Sequence, residues 1–185
     1  MIWHFFSKIK EIWHFAASSD IATGINDYRE DFNDTFMTTV NVCKFAELND
    51  IKKIYFSSSG AVYGPHDVPV KEDFPCTPIS YYGTFKLASE SFLSTDYERF
   101  LDKVIVYRFA NIIGSNATHG VIFDFVNKLK NNPRVLNVLG DGSQQKPYLH
   151  ISELIDGMLF INEKIEKGFE IFNLGPNDSG TSVQK

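Results

Sequence analysis

Apolar and polar positions along this chain recur with two periods, and the switches between them mark its elements. From about Tyr28 to Asn49, Phe32, Phe36, Val40 and Cys43 return at helical spacing, which predicts one helix. The stretch Lys52 to Ser57 then reads as a short strand ending in the turn Ser57-Ser58-Ser59-Gly60. Four of the seven prolines fall between residues 64 and 80, so that segment is a loop. Ser80 is a fitting N-cap for a helix from Tyr82 to about Leu101. Val104 to Tyr107 is a nearly continuous apolar run rich in β-branched residues, the pattern of a strand covered on both faces. A helix over about 121–130 stops at Asn131-Asn132-Pro133, and short strands are expected near Leu136 to Leu139 and Tyr148 to Ile151. A helix over about 152–163 and a strand over Phe169 to Asn173 complete the pattern, before a polar tail from Pro176. Upstream, Ile-Trp-His-Phe occurs at Ile2–Phe5 and again at Ile12–Phe15. One recurrence is no repeat architecture. The second copy runs into Ala16-Ala17 and reads as a buried strand. Strand and helix alternate throughout, which implies an α/β fold with a mainly parallel sheet.

Composition leaves that picture standing. The chain has 185 residues, 43% hydrophobic and 22% charged, the balance of one globular domain or at most two. A net charge of -5 with no basic run gives nucleic-acid binding no electrostatic support. No apolar run reaches the roughly 18 residues of a membrane span. The aromatic start, broken by Lys and His, is no signal peptide, so the expected location is the cytoplasm. Cys43 reads as a small apolar helix residue and Cys76 as a loop residue; their spacing suggests neither zinc nor a disulfide.

The candidate chemistry lies on the helix after Ser80. Tyr82 and Lys86, four residues apart, project from one face one turn apart. A free phenol titrates near pH 10 and is a poor base at neutral pH, whereas an adjacent ammonium favours the phenolate. Such a pair could move a proton on and off a hydroxyl. A lone Tyr-x-x-x-Lys is weak evidence, since exposed helical pairs produce it by chance. Here it follows Phe56-Ser-Ser-Ser-Gly-Ala-Val-Tyr-Gly64, a strand ending in small hydroxyl residues. Strand ends of that kind form the ligand-binding edge of open parallel sheets.

These strings, with Pro78-Ile-Ser-Tyr-Tyr-Gly-Thr-Phe-Lys86, resemble the extended short-chain dehydrogenase/reductases, in the nucleotide-sugar epimerase/dehydratase branch that includes the UDP-glucose 4-epimerases. The resemblance covers roughly residues 12 to 175. It implies a catalytic trio of Ser59, Tyr82 and Lys86 and NAD as cofactor. It also implies a nucleotide-diphosphate sugar as partner. His14-Phe-Ala-Ala17 looks like the family's fourth strand end, so Phe15, Ala16, Ala17 and Ser57 would lie against the cofactor. Arg108-Phe-Ala-Asn111 looks like the strand end after the catalytic helix, with Ala110 approaching the nicotinamide and Asn111 the sugar diphosphate. Leu139 to His150 looks like the substrate-side hairpin, where Lys146 would grip the diphosphate without the fork that an arginine supplies. The implied fold is a partial Rossmann-like doubly wound parallel sheet lacking its first three strands, with part of a small C-terminal substrate lobe. Residues 1–114 would carry the cofactor side and the reaction centre. Residues 115–185 would form the partial substrate lobe, with interleaved returning elements. Homodimers are frequent in the family. Phe32, Phe36, Phe92 and Phe100 would serve such an interface or, equally, the core.

Three departures sharpen the expectation. The glycine-rich nucleotide fingerprint occurs nowhere in the chain, nor does the acidic residue that follows it. The expectation is therefore a truncated chain with an exposed apolar edge at Ile12 to Ala16, weak dinucleotide binding and a tendency to associate. Thr35 stands where the family commonly has an asparagine four residues before Thr39, with Asn33 out of register. Dehydratases of this branch carry an acidic residue just after the catalytic Ser or Thr, and here those positions are Gly60 and Ala61. That favours C4 epimerisation of a sugar such as UDP-glucose or UDP-galactose. A related dehydratase or reductase, or an inactive remnant, are the alternatives.

Overall fold

The structure is a computed structural model that describes residues 9–19, 27–66, 69–118, 120–138, 142, 145–177 and 180–182. The first Ile-Trp-His-Phe copy lies outside the described residues. The chain divides into two compact units, residues 1–109 with 158–174, and residues 110–157 with 175–185.

The first unit is built on a four-stranded parallel sheet in the order β1-β2-β3-β7, with β1 Ile12–His14, β2 Lys53–Ser59, β3 Lys103–Phe109 and β7 Gly168–Leu174. β1 is an edge strand among the described residues. β2 and β3 are buried on both faces, as their unbroken apolar runs require. On one face Ile54, Phe56, Val104 and Val106 join Cys43, Ala46 and Leu93 from two helices to form the core. Trp13, Tyr55 and Tyr107 form a second, stacked row across β1, β2 and β3, with Trp13 and Tyr55 centroids 4.2 Å apart. The Tyr107 hydroxyl donates to the Met158 carbonyl and Lys103 Nζ to Asn162, which ties in the second half of α5 Ile151–Lys164.

The helix expected over 28–49 is interrupted. α1 Tyr28–Asp31 passes into a π segment, Phe32–Met37, before α2 Thr38–Leu48. The widened turn carries the buried Thr35, whose hydroxyl accepts from Ser18 N (3.1 Å) just beyond β1. Periodicity does not register such a turn, because Phe32 and Phe36 keep their contacts with Phe85 through it. α3 Tyr81–Arg99 starts as expected, with Ser80 Oγ accepting from Gly83 N at 3.1 Å.

β2 runs on through Ser59, so the three serines belong to the strand and not to a turn. A 3-10 turn, Gly60–Tyr63, follows it.

The second unit contains α4 Val121–Asn131 and two small sheets. β4 Asn111–Ile113 pairs in parallel with β6 Tyr148–His150, and β5 Gln145–Lys146 pairs antiparallel with β8 Thr181–Ser182. Among the described residues, the strand expected near Leu136 is not seen. Residues 135–138 are irregular, and Lys128 Nζ caps the Asn137 carbonyl at 3.1 Å instead of a neighbouring strand doing so.

Candidate active site

Ser59, Tyr82 and Lys86 meet where the carboxyl end of β2 faces the first turns of α3. Ser59 closes the strand with an extended backbone (φ −148°), and its Oγ accepts from Ala61 N at 3.2 Å. The Ser59 side chain lies near enough to the Tyr82 phenol to influence its titration. One turn on, Lys86 Nζ donates to the Ser57 carbonyl at 2.5 Å and lies over the rings of Phe56 and Tyr82, 5.0 and 5.8 Å from their centroids. Gly83 makes this approach possible. A Cβ there would stand 2.6 Å from the Ala61 carbonyl oxygen, so only glycine lets α3 start so close to the 3-10 turn. Gly64, at φ 71°, similarly admits the backbone at Thr77, where a Cβ would meet the carbonyl oxygen at 2.2 Å.

Burial dominates the electrostatics. It pushes the Tyr82 phenol above its ordinary value; the Ser59 side chain pulls it down, and the Asp31 carboxylate pushes it further up. Lys86, expected to lower it, is not among the groups that shift it. Burial also brings the Lys86 ammonium down to about 8, although Glu90 and Asp31 oppose the change. Asp31 is fully buried on α1, whose neighbours Tyr28 and Phe32 pack on Tyr81 and Phe85 of α3. Behind Lys86, the buried His14 is held down to about 4 by burial first and by the Lys86 charge second. Its Nε2 lies 3.0 Å from Thr39 Oγ1, and its ring packs on Phe56. The Thr39 hydroxyl is within bonding reach of both the Thr35 carbonyl and Ser89 Oγ.

At the end of β1, Phe15 is 52% exposed, Ala16 is exposed and Ala17 half-buried. Ser57 Oγ donates to the His14 carbonyl at 3.3 Å, tying this edge to β2. Small residues on an open carboxyl edge suit a flat, close-lying cofactor. Ala110, Asn111 and Lys146 belong to the second unit. There Ala110 lies so near Gly175 that a Cβ at Gly175 would stand 2.9 Å from it. Asn111 Nδ2 donates to the Pro147 carbonyl at 3.1 Å, and Lys146 is exposed on β5. The two cysteines are free, Cys43 buried and Cys76 half-buried.

The model of the NAD dependent epimerase/dehydratase family matches residues 2–175. The chain belongs to that family. UDP-glucose 4-epimerase 2 of rice, Oryza sativa subsp. japonica, is 29% identical over 96% of this chain and 49% of its own length. The dTDP-4-dehydro-6-deoxyglucose reductase of Escherichia coli is 34% identical over 76% of this chain and 46% of its own. A crystal structure of UDP-galactose 4-epimerase superimposes with a TM-score of 0.83 at 33% identity, covering 91% of this chain and 57% of that one. The chain thus spans about half the length of the curated relatives it matches. The family is NAD-dependent, and the Rossmann-like α/β fold expected from the sequence is the fold it has.

Sequence reading left three buried groups without a role. Glu90 stands four residues beyond Lys86, and that same-face spacing was its available signal. Arg108 was visible only as part of a matching string. Asp31 gave no signal, because helical charges are usually solvated and nothing in its spacing marks it as buried.

Proposed function

We propose that this chain carries the reaction centre of a nucleotide-sugar 4-epimerase acting on UDP-glucose and UDP-galactose. The observation that carries the reading is the convergence of Ser59 at the end of β2 with Tyr82 on α3, where Lys86 Nζ lies 5.8 Å from the Tyr82 ring one turn along the same helix. In this reading Tyr82 takes the proton of the sugar 4-hydroxyl while Ser59 hydrogen-bonds the reacting oxygen. Lys86 supplies positive charge beside the phenol and holds the cofactor's ribose. NAD, when bound, would supply a reversible hydride acceptor for the sugar's C4. Phe15, Ala16, Ala17, Ser57, Tyr82, Lys86 and Ala110 would hold the cofactor, and Asn111 and Lys146 the sugar diphosphate.

The Tyr82 phenol, raised by burial in the chain alone, needs a further positive charge before it can serve as a base near neutral pH. A bound oxidised nicotinamide would supply such a charge. Asp31 works in the opposite direction and sets how far the phenol can fall.

The 3-10 turn after Ser59 favours epimerisation over dehydration. Gly60 and Ala61 present neither a carboxyl nor an amide that could protonate a leaving hydroxyl. A second reading, reduction of a related keto sugar, draws on the 34% identity with the E. coli reductase. Chromatography of the products from several sugar nucleotides separates the two. UDP-galactose from UDP-glucose supports the first, and turnover of only a preformed keto sugar with net oxidation of a reduced nicotinamide supports the second.

The aromatic face shared by the π segment and α3 also fits a homodimer interface. Phe32 is exposed there, and the ring of the half-buried Phe36 lies 5.9 Å from that of Phe92. Phe92 and Phe100 both pack against the core. Sedimentation of the wild type against Phe32→Glu tests it: a dimer that becomes a monomer supports the interface, and an unchanged dimer refutes it.

A further inference from the structure

We propose that the buried Glu90–Arg108 pair is a positioning clamp that locks the serine end of β2, and the strap described at residues 64–66 and 69–80, against the catalytic helix. The inference rests on the reaction centre proposed above and assigns two residues that it does not use.

Both oxygens of the Glu90 carboxylate are committed. Oε1 accepts from Ser58 Oγ and from Arg108 Nε (3.1 Å), and Oε2 accepts from Arg108 Nη2 at 2.6 Å. Each side chain is only 4% exposed. The remaining arm of the guanidinium reaches the strap. Nη1 donates to the Tyr63 hydroxyl at 2.8 Å and to the Glu72 carbonyl at 3.0 Å. The guanidinium carbon also lies 4.8 Å from the Tyr63 ring centroid.

The same chain of bonds continues into β7. The Tyr63 hydroxyl donates to Asn173 Oδ1 at 2.7 Å, Asn173 N donates to Glu72 Oε1 at 2.8 Å, and Asn173 Nδ2 donates to the Val70 carbonyl at 3.1 Å. Thr77 Oγ1 closes the strap onto the Tyr63 carbonyl at 3.0 Å. One ion pair therefore joins β2, the 3-10 turn, the strap, α3, β3 and β7.

A buried ion pair does little for stability compared with apolar residues of the same volume, because desolvation offsets most of the attraction. A bidentate fork does fix orientation. Ser58 is followed directly by Ser59, and Glu90 is one turn from Lys86. A clamp on Ser58 and Glu90 therefore sets the relation of Ser59 to Tyr82 and of Lys86 to the Ser57 carbonyl. The strap connects the two halves of the site, and Arg108 holds its middle.

The experiment compares wild type, Glu90→Gln, Arg108→Met and the double variant E90Q/R108M in the protein that carries this chain. Urea midpoints, backbone hydrogen exchange over residues 58–80, and kcat and KM with UDP-glucose are read in each. Each single change leaves one buried group unpaired and lowers the urea midpoint. The double variant removes both charges and recovers the midpoint. If the pair positions the site, exchange over 58–80 in the double variant stays about tenfold faster than wild type, while exchange over 38–48 is unchanged. Its kcat is then about 10²-fold lower, with KM altered by less than about threefold. Recovery of wild-type exchange and turnover together with the midpoint would overturn the proposal. Ser58→Ala, a single hydroxyl deletion that leaves the ion pair intact, supplies a second reading: faster exchange over 58–64 supports the clamp, and wild-type exchange there counts against it. If the wild type converts no sugar nucleotide, the functional reading fails, and the exchange data still decide the clamp.

Discussion

Protonating His14 should destabilise the first unit, and the structure gives the size of the effect. The ring is buried between β1, Phe56 and Thr39, with the Lys86 ammonium near enough to oppose a second positive charge. Its pKa falls from 6.5 in the unfolded chain to about 4 in the folded one. The stabilisation that neutral His14 confers is complete above 6.5. It is lost as pH falls towards 4, because the unfolded chain takes up the proton first. Linkage gives a loss of about 2 kcal/mol at pH 5, against about 0.2 kcal/mol at pH 7. With a urea slope of about 2 kcal/mol per molar, the midpoint should fall by about 1 M between those pH values. Urea unfolding of wild type and His14→Gln at pH 7 and pH 5 isolates this contribution. The glutamine keeps a hydrogen-bonding group near Thr39 Oγ1 and cannot titrate. Wild type should lose about 1 M more than the variant over that interval. An equal loss in both proteins would refute the reasoning, since other groups would then carry the acid sensitivity.

Gly83→Ala should cut turnover by at least about tenfold with a smaller loss of stability, because a Cβ 2.6 Å from the Ala61 carbonyl pushes α3 and Tyr82 away from Ser59. Steady-state kinetics beside a urea melt reads both quantities. Lys86 predicts the alkaline behaviour: its ammonium, at about 8 when folded, is lost as pH rises through that value, so activity that needs the charge falls there. Stability moves the other way, rising between about 8 and 10.5 because the unfolded lysine keeps its proton longer; Lys86→Met should abolish that rise in urea midpoints. The 185-residue chain, which contains no glycine-rich fingerprint, should bind NAD only weakly. Calorimetry reads this, and submicromolar binding would contradict it.

Much of the scaffold was legible because the strands that carry the site are buried on both faces. Val104 to Tyr107 and Ile54 to Ser57 announce themselves as parallel strands, and Ser80 announces the catalytic helix through its side chain. The trio of Ser59, Tyr82 and Lys86 was expected from the family resemblance carried by the helix and strand strings, with only the Tyr82–Lys86 pair suggested by helical spacing. What stayed hidden depends on contacts between distant segments. The π segment keeps its aromatic contacts and so leaves the hydrophobic period intact. Thr35 shows its use only where Ser18 reaches it, and Arg108 only where Tyr63, Glu72 and Glu90 converge. The strand expected near Leu136 is not seen over the described residues 135–138, where apolar residues alone do not supply a pairing partner. The balance of charge at Tyr82 was also out of reach, because burial raises the phenol and Asp31 is invisible as a buried group until the helices are packed.

The most direct test of the account is turnover of UDP-glucose by the protein that carries this chain, with NAD present, in wild type and Tyr82→Phe. Wild type should form UDP-galactose. The variant should lose at least about 10³-fold in turnover while binding the sugar nucleotide with affinity within a few-fold of wild type. Undiminished turnover in Tyr82→Phe, or a 4-keto-6-deoxy sugar as the wild-type product, would contradict it.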